Sequence, residues 1–187
     1  MSTIDLGSQF LRQSDFVPHQ LFDDYTIHIV GCGGIGSVTA LAFAKIGAKH
    51  IKLYDDDTVE PKNIPVQMLS ATADRIGVAK VSDLAGIIRD LGGVHINVQP
   101  YNRRVTESEP LNFNGCKKNI VICGPDNMAT RSLIWGMVKN NIDVTLLVDG
   151  RMASRFFKVY SINPCEYNEQ VYYENTLHDD SKAEALP

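Results

Sequence analysis

The sequence lacks several features that mark specialised classes of protein. Its four cysteines include no C-x-x-C pair, so the usual structural zinc site is not predicted. No stretch is long and apolar enough to span a membrane, and residues 1–5 lack the basic and apolar regions of a signal peptide. We therefore expect a cytoplasmic protein with reduced cysteines and no membrane partner.

An excess of positive charge and internal repeats are also absent. Lys and Arg number 18 against 22 for Asp and Glu, which gives a net charge of −4. A weakly acidic surface argues against nucleic acid as the main partner. The sequence contains no internal repeats. Its 187 residues, of which 44% are apolar, suit one domain with a substantial core.

What is present is a short segment ordered like a nucleotide-binding βαβ unit. An apolar strand at 26–30 is followed by a glycine-rich turn at 31–36 and an apolar helix at 37–46. A second strand, at 51–54, ends in three aspartates, at 55–57. This order predicts an α/β fold with a Rossmann-like, doubly wound, mostly parallel sheet and a nucleotide at the glycine turn.

Each glycine of the turn has a separate physical task. Gly31 permits the tight turn, Gly33 lets the backbone approach a phosphate, and Gly36 lets the helix pack closely on the strand. The helix N-terminus offers free N–H groups and a partial positive charge to an anion. Asp55 is placed to accept hydrogen bonds from a ribose, although three acids in a row are also typical of a solvated turn. Cys32 is predicted to fill space rather than to act as a nucleophile.

The rest of the chain continues the alternation of strands and helices. We predict a helix at 78–91, strands at 94–98, 119–123 and 143–148, and a last strand, which could run antiparallel, at 156–162. Loop is predicted at 101–114, with a short helix, and in the polar tail from Asn163. Residues 1–24 are expected to form an arm and helix, 25–162 the nucleotide-binding domain, and 163–187 the start of a C-terminal loop region in a truncated protein.

Three further motifs narrow the class of nucleotide-binding protein. Residues 55–67 read D-D-D-T-V-E-P-K-N-I-P-V-Q, residues 77–80 read G-V-A-K, and residues 126–131 read D-N-M-A-T-R. Together with the glycine turn, these motifs resemble the ThiF/MoeB/HesA family, the adenylating domain of ubiquitin-activating enzymes. The resemblance covers residues 12–160, and the combination is more specific than any one motif.

The resemblance implies ATP-dependent adenylation of a carboxylate by a homodimer, with the C-terminal glycine of a ubiquitin-like or sulfur-carrier protein as the expected substrate. The implied ATP-binding residues are Gly31, Gly33, Gly34 and Gly36 in the turn, Asp55 at the ribose, and Asp57, Asn63, Gln67 and Lys80 towards the phosphates. The implied catalytic residues are Lys80, Asp126 as the ligand of Mg²⁺, and Arg12 reaching into the other subunit.

The residues alone leave simpler roles open for these three side chains. Lys80 lies off the apolar stripe of its helix, and a lone lysine there is usually solvated. Arg12 also suits a solvated surface, and Asp126 suits the N-cap of the following helix.

One position departs from the family pattern. Val66 stands where the family has arginine, and an arginine at a transferring phosphate contributes several kcal/mol to the transition state. The candidates for a replacement are Arg12, Arg75 and Arg151, whereas Arg103–Arg104 is predicted to be a solvated pair. Lost activity and altered chemistry are the other consequences that this departure allows.

Two other functions fit parts of the sequence. An NAD-dependent oxidoreductase would use the same first βαβ unit, but it does not explain the joint presence of Asn63, Gln67 and Lys80, and no hydride-transfer acid or base is visible. A catalytically silent ThiF-like module would hold nucleotide or a partner without reaction, and Val66 keeps that alternative open. Cys165 lies in no matching motif, so no catalytic role is assigned to it.

Overall fold

The computed structural model describes residues 10–18, 20–92, 96–113, 118–153 and 156–178. The strands are β1 (Tyr25–Val30), β2 (His50–Asp55), β3 (Asn97–Asn102), β4 (Lys118–Cys123), β5 (Val144–Ala153) and β6 (Phe156–Ile162). The helices are α1 (Gly34–Ile46), α2 (Lys80–Gly92), α3 (Met128–Val138) and α4 (Tyr167–Glu174). Short 3-10 turns lie at Leu11–Gln13, Pro61–Asn63 and Ala73–Arg75. Within the described ranges, no helix has the length and apolar character needed to cross a membrane.

The six strands form one sheet in the order β3-β2-β1-β4-β5-β6. Strands β1 to β5 run parallel, and β6 pairs antiparallel with β5. The predicted Rossmann-like, doubly wound α/β sheet is therefore confirmed. Because the chain leaves β1 towards β2 on one side and returns through β4 on the other, a crevice opens between the carboxyl ends of β1 and β4, where sheets of this kind bind ligands.

Apolar side chains cover both faces of the sheet. On one face, α1 and α2 pack on the strands through a cluster that includes Ile27, Ile51, Ala40 and Leu84. On the other face, α3 and α4 pack through a cluster that includes Val121, Leu147, Ile134 and Tyr173. Residues 119–123 of β4 are all buried, as expected for a parallel strand that helices cover on both sides.

Two strands extend beyond their predicted ends. β3 continues to Asn102 through Pro100, which a central strand would reject because proline cannot donate a ladder hydrogen bond. β3 lies at the edge of the sheet, so it tolerates the proline. β5 continues through Asp149 because β6 pairs alongside it as far as Ala153. The predicted strand residues Val94 and His95 lie outside the described residues.

The two predicted loops differ from the structure in opposite ways. Residues 103–113 contain no helix, whereas the tail, predicted to be loop, contains α4. Tyr173 of α4 is fully buried, and its ring lies 4.9 Å from that of Trp135, centroid to centroid. The indole N–H of Trp135 donates to Glu174 over 2.8 Å.

Candidate functional site

The glycine turn lies in the crevice and touches the loop that follows β4. Gly31 has a φ of +85°, in the region that favours glycine. A Cβ atom at Gly31 would lie 2.7 Å from the carbonyl oxygen of Gly124. In the first turn of α1, a Cβ atom at Gly36 would lie only 1.8 Å from the carbonyl oxygen of Gly31. Because glycine has no side chain, the three backbone segments at Gly31, Gly36 and Gly124 can meet at the base of the crevice.

The N-terminus of α1 faces the same space. Gly33 is the N-cap residue of α1 and lines the cleft, whereas Gly34 opens the helix behind it, next to the backbone of Val66. The first N–H groups of a helix have no partner within the helix, and they carry the positive end of its dipole. This arrangement suits the binding of a phosphate.

Asp55, the last residue of β2, connects the glycine turn to the loop that follows β2. We call this loop, residues 56–59, the acidic loop. Its Oδ2 accepts the N–H of Cys32 over 2.6 Å, and its Oδ1 accepts the N–H of Asp57 over 2.8 Å. Burial raises the pKa of the Asp55 carboxyl, and the two N–H groups oppose that rise. Each oxygen keeps a lone pair for a ribose hydroxyl. Burial and the charge of Asp55 also raise the pKa of the Cys32 thiol, which agrees with a space-filling role.

Lys80, the first residue of α2, is buried at the cleft. Its side chain is 7% exposed, and its Nζ lies 2.8 Å from Oδ2 of Asp57. The turn before α2 pairs with the acidic loop, because the N–H of Gly77 donates to Val59 and the N–H of Lys80 donates to the carbonyl oxygen of Asp57. This pairing turns Lys80 inward, at a position that helix periodicity alone assigns to the surface.

Gln67 and Asn63, which come from the same motif, occupy different places. Gln67 lines the cleft beside Gly33, and its Oε1 is buried without a hydrogen-bond partner among the described residues. An unsatisfied buried amide oxygen at a cleft is suited to a donor from a ligand or water. Asn63 is buried outside the cleft lining, where its Oδ1 accepts the N–H of Glu60 over 2.9 Å. Val66 is 64% exposed.

Asp126 lies on the cleft and does not cap the helix that follows it. The N-cap residue of α3 is Asn127, whose Oδ1 accepts the N–H of Thr130 over 2.8 Å. Asp126 is exposed, and its Oδ1 accepts a hydrogen bond from the side-chain Nδ2 of Asn127 over 3.0 Å. Asp126 therefore remains available to a ligand, and its assignment to Mg²⁺ stays a prediction.

Arg12 lies far from the cleft of its own chain. It is exposed, and the neighbouring Gln13 donates to the carbonyl oxygen of Ile46 at the last residue of α1. Helix α1 has 13 residues, which places this end about 20 Å from the glycine turn, too far for an arginine side chain to reach. A solvated surface role and a role in another subunit are both compatible with this position, and the second stays a prediction.

Sequence reasoning missed two arginines of the cleft. Arg103 and Arg104, just after β3, both line it. A guanidinium N–H group of Arg104 lies 3.2 Å from Asp56, and the Arg103 guanidinium carbon lies 5.4 Å from the ring centre of Tyr54. The prediction of a solvated pair followed from ending β3 too early, since residues after a parallel strand face the ligand-binding edge of the sheet. The proposed replacements Arg75 and Arg151 are absent from the cleft lining.

The cleft has a volume of about 250 Å³. The predicted site residues that line it are Gly31, Gly33, Asp55, Asp57, Gln67, Lys80 and Asp126. The carboxylates of Asp55, Asp56 and Asp57 lie within 4.8 Å of one another beside Lys80. Five places that are distant in the sequence therefore bring backbone N–H groups, an amide, a buried lysine and carboxylates together.

Proteins with related sequences include an adenylyltransferase and a ubiquitin-like modifier-activating enzyme. The sequence pattern of the ThiF family matches residues 18–163. The adenylyltransferase and sulfurtransferase MOCS3 of Culex quinquefasciatus is 31% identical over 109 residues, 58% of this chain and 24% of that protein. The ubiquitin-like modifier-activating enzyme 5 of Oryza sativa subsp. japonica is 36% identical over 85 residues, 44% of this chain and 19% of that protein. The chain thus spans a quarter or less of the length of these relatives.

A solved structure shares the arrangement of the elements. The crystal structure of the E. coli tRNA N6-threonylcarbamoyladenosine dehydratase TcdA matches the structure of this chain with a TM-score of 0.69 and 26% sequence identity. The match covers 83% of this chain and 65% of TcdA. TcdA has also been solved in complex with ATP, and that structure matches with a TM-score of 0.61. The likeness confirms the Rossmann-like fold found here.

Proposed function

This chain belongs to the ThiF family, and from that membership we propose that it binds ATP in the cleft between β1 and β4 and uses it to adenylate a carboxylate. The observation that carries the proposal is the convergence of the glycine turn, Gln67, Lys80 and Asp126 on one cleft. The expected substrate is the C-terminal glycine of a ubiquitin-like or sulfur-carrier protein. Two relatives support this class of substrate by their names: the sulfurtransferase MOCS3, at 31% identity, and the ubiquitin-like modifier-activating enzyme 5, at 36% identity.

The proposed reaction transfers the adenylyl group of ATP. A carboxylate oxygen attacks the α-phosphorus, the bond from that phosphorus to the bridging oxygen breaks, and pyrophosphate leaves with its electron pair. The product is an acyl-adenylate. No side-chain nucleophile is required, because the rate gain comes from positioning and from neutralising phosphate charge.

The residues of the cleft can divide these tasks. The N–H groups at the start of α1 bind phosphate, and Asp55 accepts the ribose hydroxyls. The Lys80 ammonium group pairs with Asp57, and when ATP binds, the triphosphate replaces Asp57 as its partner. The unpartnered Oε1 of Gln67 accepts a hydrogen bond from the nucleotide or substrate.

The carboxylates beside the cleft suit Mg²⁺, which binds one or two carboxylates together with substrate phosphates and neutralises their charge. We assign Asp126 to this ion. Both oxygens of Asp55 already accept backbone N–H groups, Asp56 pairs with Arg104 and Asp57 with Lys80, whereas Asp126 is exposed to the cleft and pairs with no cation among the described residues.

We also propose that the protein acts as a homodimer in which Arg12 of each subunit serves the cleft of the other. Its distance from its own cleft supports a role between subunits. Arg103 and Arg104 are additional cations at the cleft, where Val66 supplies none.

Ligand-dependent thermal unfolding separates the proposal from its rivals. We expect ATP with Mg²⁺, and AMP, to raise the melting temperature, because a ligand that binds only the folded state stabilises it. Ligand at 100 times its Kd contributes about 2.7 kcal/mol, or roughly 5 to 10 °C for a domain of this size. NAD⁺ is expected to have no comparable effect. A shift with NAD⁺ alone would replace adenylation by the dehydrogenase alternative.

A further inference from the structure

A buried polar cluster behind the cleft joins α4 to the loop that carries Asp126. Its centre is Asp149 of β5, which is fully buried. The Oδ2 of Asp149 accepts hydrogen bonds from the Nε of Arg151 over 2.7 Å and from the hydroxyl of Tyr173 over 2.9 Å. Its Oδ1 pairs with Arg131. One carboxylate is therefore shared by side chains from β5, α3 and α4.

Arg131 has a second partner that points towards the cleft. One of its terminal nitrogens bonds Asp149, and the other donates to the carbonyl oxygen of Pro125. Arg131 is only 6% exposed, so both bonds are shielded from water. Because the guanidinium group is planar and rigid, it fixes the Pro125 carbonyl relative to a buried strand. Pro125 directly precedes Asp126.

Other restraints act at the two ends of this loop and on the Asp126 side chain, whose Oδ1 accepts a hydrogen bond from the side-chain amide of Asn127. At the first end, the N–H of Gly124 donates to the carbonyl oxygen of Val30 over 2.8 Å. At the second end, Asn127 caps α3. Arg131 holds the middle, at the peptide group that precedes Asp126. Without this bond, the Pro125–Asp126 peptide would rotate more freely between its two fixed ends.

We propose that Arg131 is a positioning residue for adenylation: anchored on the buried Asp149, it holds Asp126 at the cleft through Pro125. This role rests on the proposed function above. Asp149 is itself held by Arg151, whose terminal nitrogens donate to the carbonyl and hydroxyl oxygens of Thr176, just beyond α4, over 2.9 and 3.0 Å.

The energetics of buried ion pairs support a positional role. Replacing such a pair by well-packed apolar side chains is often neutral or stabilising, because desolvation offsets the attraction between the charges. Stability alone therefore gives little reason to bury Asp149 with Arg131 and Arg151. The second bond of Arg131, to a loop of the cleft, supplies the reason.

The variant Arg131→Lys tests this role. Lysine keeps the positive charge beside Asp149, but its single ammonium group cannot hold Pro125 in the fixed geometry of a guanidinium fork. We expect hydrogen exchange at residues 124–130 to become about 10-fold faster, because local opening of the loop becomes easier. We expect kcat for ATP–pyrophosphate exchange to fall about 10- to 100-fold, the loss that small misplacements of a reacting group cause, with AMP affinity changed by less than about threefold.

The matched control is Tyr173→Phe. It removes one hydrogen bond from the same carboxylate but leaves the bond between Arg131 and Pro125 in place. Both variants are expected to lower the melting temperature. Only Arg131→Lys is expected to speed hydrogen exchange at residues 124–130 and to lower kcat.

The outcomes separate this inference from the proposed function. Unchanged hydrogen exchange at residues 124–130 in Arg131→Lys would overturn the inference, as would an equal loss of kcat in Tyr173→Phe. Faster exchange of this segment in Arg131→Lys alone would support the hold on the loop. If the wild-type protein shows no pyrophosphate exchange, the proposed adenylation fails, and the hydrogen-exchange comparison still decides whether Arg131 holds the loop.

Discussion

Replacing Lys80 by alanine is expected to lower the rate of ATP–pyrophosphate exchange by about 100- to 1000-fold, the loss typical of removing one preorganised group that stabilises transition-state charge. The Lys80 ammonium group is buried at the cleft, 2.8 Å from Asp57. Asp57 is 62% exposed, so water can solvate its carboxylate after the substitution. We therefore expect the variant to remain folded, with a larger loss of affinity for ATP than for AMP.

The control for this prediction is Lys62→Ala. Both variants remove one positive charge, but Lys62 is 75% exposed and pairs with Glu60 outside the cleft lining. We expect Lys62→Ala to retain exchange within about twofold of the wild-type rate, as surface ion pairs contribute little. Steady-state exchange assays and circular dichroism on both variants make the comparison. Near-normal exchange in Lys80→Ala would remove Lys80 from the catalytic site.

Replacing Gly36 by alanine is expected to destabilise the fold by about 3 kcal/mol or more, at the upper end of the cost of overpacking a core. A Cβ atom at this position would lie 1.8 Å from the carbonyl oxygen of Gly31 and 3.1 Å from a methyl carbon of Ile29. The first obstacle is backbone, which cannot move without reshaping the glycine turn, where we propose that phosphate binds. Urea unfolding and ATP titration measure the two consequences.

Gly86→Ala is the matched control for Gly36→Ala. Gly86 lies within α2, and apart from its own helix backbone and its chain neighbours, no atom of the described residues lies within 4 Å of a Cβ built on it. Alanine there should stabilise the protein by about 0.5 to 1 kcal/mol, because glycine loses more backbone entropy in a helix. Opposite signs for the two glycines would locate the effect in the contact with Gly31. Equal stability of Gly36→Ala and wild type would contradict the packing described here.

The sequence predicted those elements whose bounds depend only on neighbouring residues. Glycine spacing and apolar runs define β1, α1 and β2, and the end of α1 follows from Gly47, which adopts the left-handed conformation of a helix cap. The end of β3 depends on its place at the sheet edge, where Pro100 is tolerated. Helix α4 depends on burying Tyr173 against a distant helix. Neither property is visible in the neighbouring residues.

The same distinction applies to the site. Gly31 and Asp55 could be assigned from their spacing, because one βαβ unit contains both. The inward direction of Lys80 depends on backbone pairing between the turn before α2 and the acidic loop, which helix periodicity does not report. Arg103 and Arg104 were missed because their place at the cleft depends on where β3 ends.

The most direct test of the central claim is ATP–pyrophosphate exchange by the wild-type protein. The assay would contain ATP, Mg²⁺ and labelled pyrophosphate, with each ubiquitin-like or sulfur-carrier protein encoded in the same genome. Adenylation predicts label in ATP with at least one carrier, and no label when the C-terminal glycine of that carrier is deleted. ATP binding without exchange, for every carrier, would contradict the claim and identify a silent nucleotide-binding module.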